Sequence, residues 1–103
     1  MSGLDDTSYT YRAVTAATTL TANDYILAVS PSGGNVVVTV PSGALTIPGR
    51  VYYVRRDATA TNTVTLTPAA GLIDGAASKA VGAAGAIGYL AIVNDGTNWI
   101  SFQ

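Results

Sequence analysis

Residues 88–102 read GYLAIVNDGTNWISF: an apolar run Gly88 to Val93, the segment Asn94-Asp-Gly-Thr-Asn98, and a second apolar run Trp99 to Phe102. The five central residues all favour turns, and the flanking runs are rich in β-branched and aromatic side chains. The stretch therefore predicts an antiparallel hairpin. Nowhere does a charged/apolar stripe of helical period persist for a dozen residues, whereas period-two alternation recurs along the chain. The fold class that follows is all-β.

Working back from this hairpin, Ala76 to Gly85 reads as a loop of small residues, preceded by a short Leu72-Ile73 element and the pair Asp74-Gly75, suited to a tight reversal. In Thr63 to Thr67 the alternation sends Val64 and Leu66 to the core and Thr63, Thr65 and Thr67 outward. Val51 to Arg56 is a further strand. Pro41, Pro48 and Gly49 bracket a segment with Leu45 and Ile47 that reads as a crossover loop. Tyr25 to Val29 and Val36 to Val40 flank a Pro31-Ser-Gly-Gly34 turn signal, from which an antiparallel return is expected. Tyr9 to Val14 opens the set, with Tyr9, Tyr11 and Ala13 on one face and Thr10, Arg12 and Val14 on the other; either face is a candidate for burial. About seven or eight short strands at this spacing predict a small antiparallel β-sandwich or a jelly-roll-like barrel. The expected organisation is an arm or leader strand over 1–17, followed by one β domain over 18–103.

Composition narrows the function classes. Only 11% of the 103 residues are charged, against about 25% in ordinary soluble domains, so much of the surface is expected to be covered by protein, with a neutral, Thr-rich monomer surface as the alternative. The formal charge of −1, with no basic cluster beyond Arg55 and Arg56, argues against a nucleic-acid partner. Ala80 to Val93 is too short to span a bilayer and is interrupted by Gly82, Gly85 and Gly88, so no membrane partner is expected. The acidic start, Met1 to Asp6, lacks the basic n-region and apolar core of a signal peptide.

Catalytic chemistry has few tools here. Histidine, cysteine and glutamate are absent, which removes the usual general base near neutral pH, the thiolate nucleophile and the commonest transition-metal ligands. Of the six aspartates, Asp24, Asp57, Asp74 and Asp95 sit in turn-forming surroundings. The oxygen-rich segment Asn94 to Asn98 has donors that suit Ca²⁺, yet a hairpin turn accounts for it fully. Ser78 and Lys79, as neighbours in an extended chain, point to opposite sides and form no dyad. No catalytic residue, cofactor or metal is expected. The aromatic residues are expected mainly in core or subunit packing, with a sugar-stacking platform as the alternative.

The run Leu20-Thr-Ala-Asn-Asp-Tyr-Ile-Leu-Ala-Val29, then Gly33-Gly-Asn-Val-Val-Val-Thr-Val-Pro41, Gly49-Arg-Val-Tyr-Tyr-Val-Arg-Arg56, Asn62-Thr-Val-Thr-Leu-Thr-Pro68, Leu72-Ile-Asp-Gly75 and Asp95-Gly-Thr-Asn-Trp99, resembles a β module of tailed-phage fibre and capsid-decorating proteins. That resemblance spans about Thr19 to Trp99 and carries no catalytic motif. It implies a homotrimeric virion protein, made in the host cytoplasm and placed on the capsid exterior, whose partners are its own copies and the major capsid protein. The leader then supplies a docking set, Leu4, Tyr9, Tyr11 and Arg12, for a neighbouring subunit or the capsid floor. The alternative is a receptor- or carbohydrate-binding tail module in which Trp99 stacks on a host glycan.

Overall fold

The computed structural model describes residues 10–42, 48–59 and 61–102, and among them nine strands and no helix build two facing sheets. The strands are β1 (Thr10–Val14), β2 (Thr18–Thr19), β3 (Asp24–Val29), β4 (Val36–Val40), β5 (Val51–Arg56), β6 (Val64–Pro68), β7 (Lys79–Ala80), β8 (Gly88–Asn94) and β9 (Trp99–Phe102). One sheet has the order β1-β3-β5-β8-β9 and the other β2-β4-β6-β7. The all-β sandwich expected from the alternation is present, with slightly more strands than the spacing predicts.

Strand pairing is mixed. From β1 to β6 the chain changes sheet at every step, so β1, β3 and β5 run parallel in one layer and β2, β4 and β6 run parallel in the other. Antiparallel pairing is confined to β5–β8, β8–β9 and β6–β7. The expected antiparallel return of Val36–Val40 onto residues 25–29 is thus corrected: β4 lies across the core from β3 and pairs with β2 and β6. The physical reason lies in the side chains. Leu27 and Val29 on β3, and Val36, Val38 and Val40 on β4, are all buried. Two strands that each carry a fully buried apolar face bury more of it face to face than edge to edge.

Hydrogen bonding continues round the corners of this winding. Ser30 N–H donates to Val14 O at 3.0 Å and Asp57 N–H to Val29 O at 3.1 Å, while Val36 N–H donates to Thr63 O at 2.8 Å and Ala69 N–H to Val40 O at 2.8 Å. Side chains bind successive corners as well: Asn62 Nδ2 donates to Pro31 O at 2.7 Å and Asn35 Oδ1 accepts from Thr63 N–H at 2.9 Å. The turn residues between strands therefore satisfy one another's polar groups instead of closing hairpins.

Between the layers lies one apolar core built on Leu20, Leu27, Val38, Tyr52, Val54, Leu66, Ile73, Leu90, Ile92 and Trp99, with Val64 and Val81 also buried. Val64 and Leu66 face it, as the alternation of β6 requires. Ala76 to Gly85, expected as a loop, contains β7 and the fully buried Val81, so part of it belongs to the four-stranded sheet. The Asp74-Gly75 reversal is a tight turn: both residues have positive φ, 51° and 84°, and Ala76 N–H donates to Ile73 O at 2.8 Å. Of the expected leader, residues 10–14 form β1, the edge strand paired with β3, and Val14 packs against the core. Leu4 and Tyr9, together with Leu45 and Ile47 of the crossover, lie outside the described residues.

A candidate docking face on the five-stranded sheet

The strands of the five-stranded sheet are apolar on both sides. Their inner positions fill the core, and the register aligns their outer positions in rows, one of which crosses the whole sheet. Tyr11 pairs with Ile26, Ile26 with Tyr53, Tyr53 with Ala91, and Ala91 with Phe102, so one row runs from β1 to β9. A second row carries Val51, Val93 and Ile100, and a third Ala13, Ala28, Arg55 and Tyr89. A register slip between Thr10 and Tyr11 leaves Tyr25 as an extra residue in β3, a bulge. Its ring meets that of Tyr53 edge-on, with centroids 5.1 Å apart. Val51, Tyr53, Tyr89, Ala91, Val93 and Phe102 line a shallow apolar groove on this face.

Exposure there is large for apolar side chains: Tyr11 64%, Tyr53 38%, Tyr89 54%, Ile100 43% and Phe102 57%. With aromatic side chains of about 150–250 Å² each, the four rings together with Ile100 present roughly 500 Å² to solvent. That is at the upper end of the largest patch on an ordinary monomer, about 300–600 Å². Arg55 is the one charged residue at an outward position of these rows among the described residues. The opposite outer face has another character: Thr19, Thr39 and Thr67 form one cross-strand row, and Thr65 stands beside Val37. Threonine rows carry hydroxyls that bond to water or to one another.

Of the expected docking residues, Tyr11 stands on the aromatic face, but Arg12 is committed within the chain. Its Nε and Nη2 meet the two carboxylate oxygens of Asp24 at 3.0 and 2.7 Å, Nη1 donates to Thr18 Oγ1 at 3.0 Å, and Nη2 also reaches Thr19 O at 3.2 Å. This fork ties β1 to the β2–β3 turn. Burial pushes the Asp24 carboxyl up, but hydrogen bonds from Arg12 and Thr21 and the Arg12 charge outweigh it and leave the carboxyl below its ordinary value. Arg50, just before β5, and Tyr52 within it hold the same turn: Arg50 Nη2 donates to Ala22 O at 3.1 Å, its guanidinium lies 4.1 Å over the Tyr52 ring, and Tyr52 Oη donates to Thr21 O at 3.1 Å.

Trp99 corrects an expectation. It is 1% exposed, packed against Tyr52 at 5.9 Å between ring centroids, and so offers no face to a glycan. The alternation of β9 decides this, turning Trp99 inward and Ile100 and Phe102 outward. Its indole N–H, with no hydrogen-bond partner, is the only such orphan among the buried side-chain polar atoms of the described residues.

The aspartates act on backbone and hydroxyl groups. Asp95 Oδ1 accepts from Thr97 and Asn98 N–H at 2.9 and 2.8 Å, closing the β8–β9 turn. Asp57 accepts from Thr59 N–H at 3.0 Å and from Ser30 Oγ, and these bonds, Ser30 first, hold its carboxyl down at about 2. Asp74 accepts from Ser101 N–H at 3.0 Å and from Ser101 Oγ, with Lys79 Nζ at 3.2 Å; the Ser101 bonds lead in lowering it to about 2. Lys79 is thereby drawn to a carboxylate. No group of three potential metal ligands occurs among the described residues.

Residue-by-residue reading missed Tyr53, Tyr89, Ile100 and Phe102 as a set. The signal was there: β5 and β8 are apolar at both parities, the pattern of strands covered on both faces. Comparison with known protein families, curated proteins and solved structures finds no match to this chain, so its functional reading rests on this face and on the residues that build it.

Proposed function

We propose that the chain is a non-catalytic structural module of a tailed-phage virion, a decoration protein that self-associates, binds the outer surface of the capsid and stabilises the shell. The observation that carries this reading is the outer face of the five-stranded sheet, where the row Tyr11, Ile26, Tyr53, Ala91 and Phe102 crosses five strands and Arg55 is the one outward charge among the described residues. An aromatic surface enriched in Tyr and depleted of Lys, Asp and Glu has the composition of a protein–protein interface core. The absence of histidine, cysteine and glutamate supports a role without reaction chemistry. The resemblance to phage decoration and fibre modules supplies the virion context and the trimer. Stabilisation follows by mass action, because a ligand that binds only the assembled shell favours assembly.

The test is to mix the full chain with capsid shells that lack it. Co-sedimentation and a higher temperature of shell disruption are expected; absence of the chain from gradient-purified virions overturns the proposal.

A glycan-binding tail module is the second reading, favoured by the Tyr53, Tyr89 and Phe102 groove. Sugar recognition also asks for polar groups beside the rings to bond hydroxyls. The outward rows carry no carboxylate or amide, which ranks this reading below the first.

A further inference from the structure

We infer that the aromatic face of the five-stranded sheet is the surface on which a second copy of this chain docks, with Tyr53, Tyr89, Ile100 and Phe102 at the centre of the contact. This deepens the proposed structural role by naming the partner of that face, and it rests on that reading only for its biological setting.

The two outer faces of the sandwich differ in a way the fold does not demand. Both sheets need one apolar side for the shared core, and the four-stranded sheet turns Thr19, Thr39, Thr65 and Thr67 outward. The five-stranded sheet turns rings outward instead, with Tyr89 54% and Phe102 57% exposed. Leaving such rings in water forfeits the gain of burying them.

Area and charge identify the occupant. Roughly 500 Å² from each of two copies removes about 1,000 Å² from water, the threshold for a specific interface. The half-buried Val51, Val93, Ile26 and Tyr25 on the same face extend it. A face whose outward rows hold one cation and no acid offers a strongly charged partner a single pairing group, but meets a copy of itself with little charge repulsion. The closest packing is ring against ring, and an Arg55 guanidinium laid over a partner's Tyr face adds a cation–π contact that keeps its charge partly solvated.

Sedimentation equilibrium of the full chain tests this. Association is expected at micromolar to tens-of-micromolar concentration, and Phe102→Ser or Tyr89→Ser is expected to weaken it at least tenfold without altering the near-ultraviolet circular dichroism. Val37→Ser, which removes an exposed apolar side chain from the opposite face, is expected to leave association unchanged. A wild-type chain that stays monomeric at about 100 μM, or variants of the face that associate as wild type does, overturns the inference. The two proposals fail separately: a chain that decorates capsid shells while variants of this face associate as wild type does sinks only this one, and a self-associating chain that ignores shells sinks only the virion role. Saturable binding of an oligosaccharide by a monomeric chain, abolished by Tyr89→Ser, also overturns it.

Discussion

Individual side chains matter most where backbone comes close to backbone. At Gly82 and Gly88 a Cβ has no room: built on Gly88 it falls 2.7 Å from Gly82 Cα, and built on Gly82 it falls 2.9 Å from Gly88 Cα. Gly82 has in addition a φ of 65°, which side chains other than glycine rarely adopt. The contact lies over Arg56, a fully buried arginine whose Nη1 donates to Asn62 O at 2.7 Å. Gly88→Ala is therefore expected to cost about 1–3 kcal/mol, as overpacking does, in urea-induced unfolding. Gly33→Ala, where a Cβ meets nothing within 4 Å, is the control and is expected to stay within about 0.5 kcal/mol of wild type. Both glycines were visible in the sequence only as breaks in an apolar run. Their mutual contact joins the entry to β8 with the exit from β7, and no local pattern encodes it.

At the scale of elements, the decisive feature is that β3 and β4, neighbours in the chain, do not pair. The Gly33-Gly34 signal names a turn correctly, but residues 30–35 turn the chain across the core instead of back along the same sheet. Because the chain has no cysteine of its own, paired cysteines can tell the arrangements apart. Thr39→Cys with Thr67→Cys, register partners on β4 and β6, is expected to form an intramolecular disulfide under mild oxidation. Ala28→Cys with Val37→Cys, which a hairpin would bring opposite each other, is expected to remain reduced, since the two positions lie in different sheets. Mass spectrometry of the oxidised proteins checks both, and the reverse result would restore the hairpin. The β8–β9 hairpin, by contrast, was legible because its turn is local: Asp95 closes it with bonds to residues two and three positions on.

For the whole molecule, few charges remain to respond to pH, and the aspartates whose values shift all move downward. Asp57 and Asp74 have folded-state values of about 2, below the ordinary 3.8, through hydrogen bonds from Ser30 and Ser101 respectively. Asp24 is lowered as well, its Arg12 and Thr21 bonds overcoming burial. Carboxyls that ionise more readily when folded contribute stability above the unfolded value and lose it as pH falls through the folded one. The thermal midpoint is thus expected to be flat from pH 5 to 8 and to drop from about pH 4 towards 2. Asp57→Asn combined with Asp74→Asn is expected to lower the midpoint at neutral pH and to flatten the acid drop, a comparison calorimetry makes directly. With no histidine in the chain, a stability change centred near pH 6.5 has no side chain to produce it.

The positions of the longer strands, the β8–β9 hairpin and the inward set Val64 and Leu66 follow from short-range alternation and turn chemistry, which act over a few residues and are written in consecutive letters. The scarcity of charge and the lack of histidine, cysteine and glutamate likewise belong to the sequence alone. Three matters waited for the tertiary structure: the winding between two sheets, the burial of Trp99 beside an exposed Phe102, and the alignment of Tyr11, Ile26, Tyr53, Ala91 and Phe102 in one row. Each depends on which strands become neighbours. That choice is made by the total apolar area two layers can bury together, a quantity summed over residues far apart in the chain and carried by none of them singly.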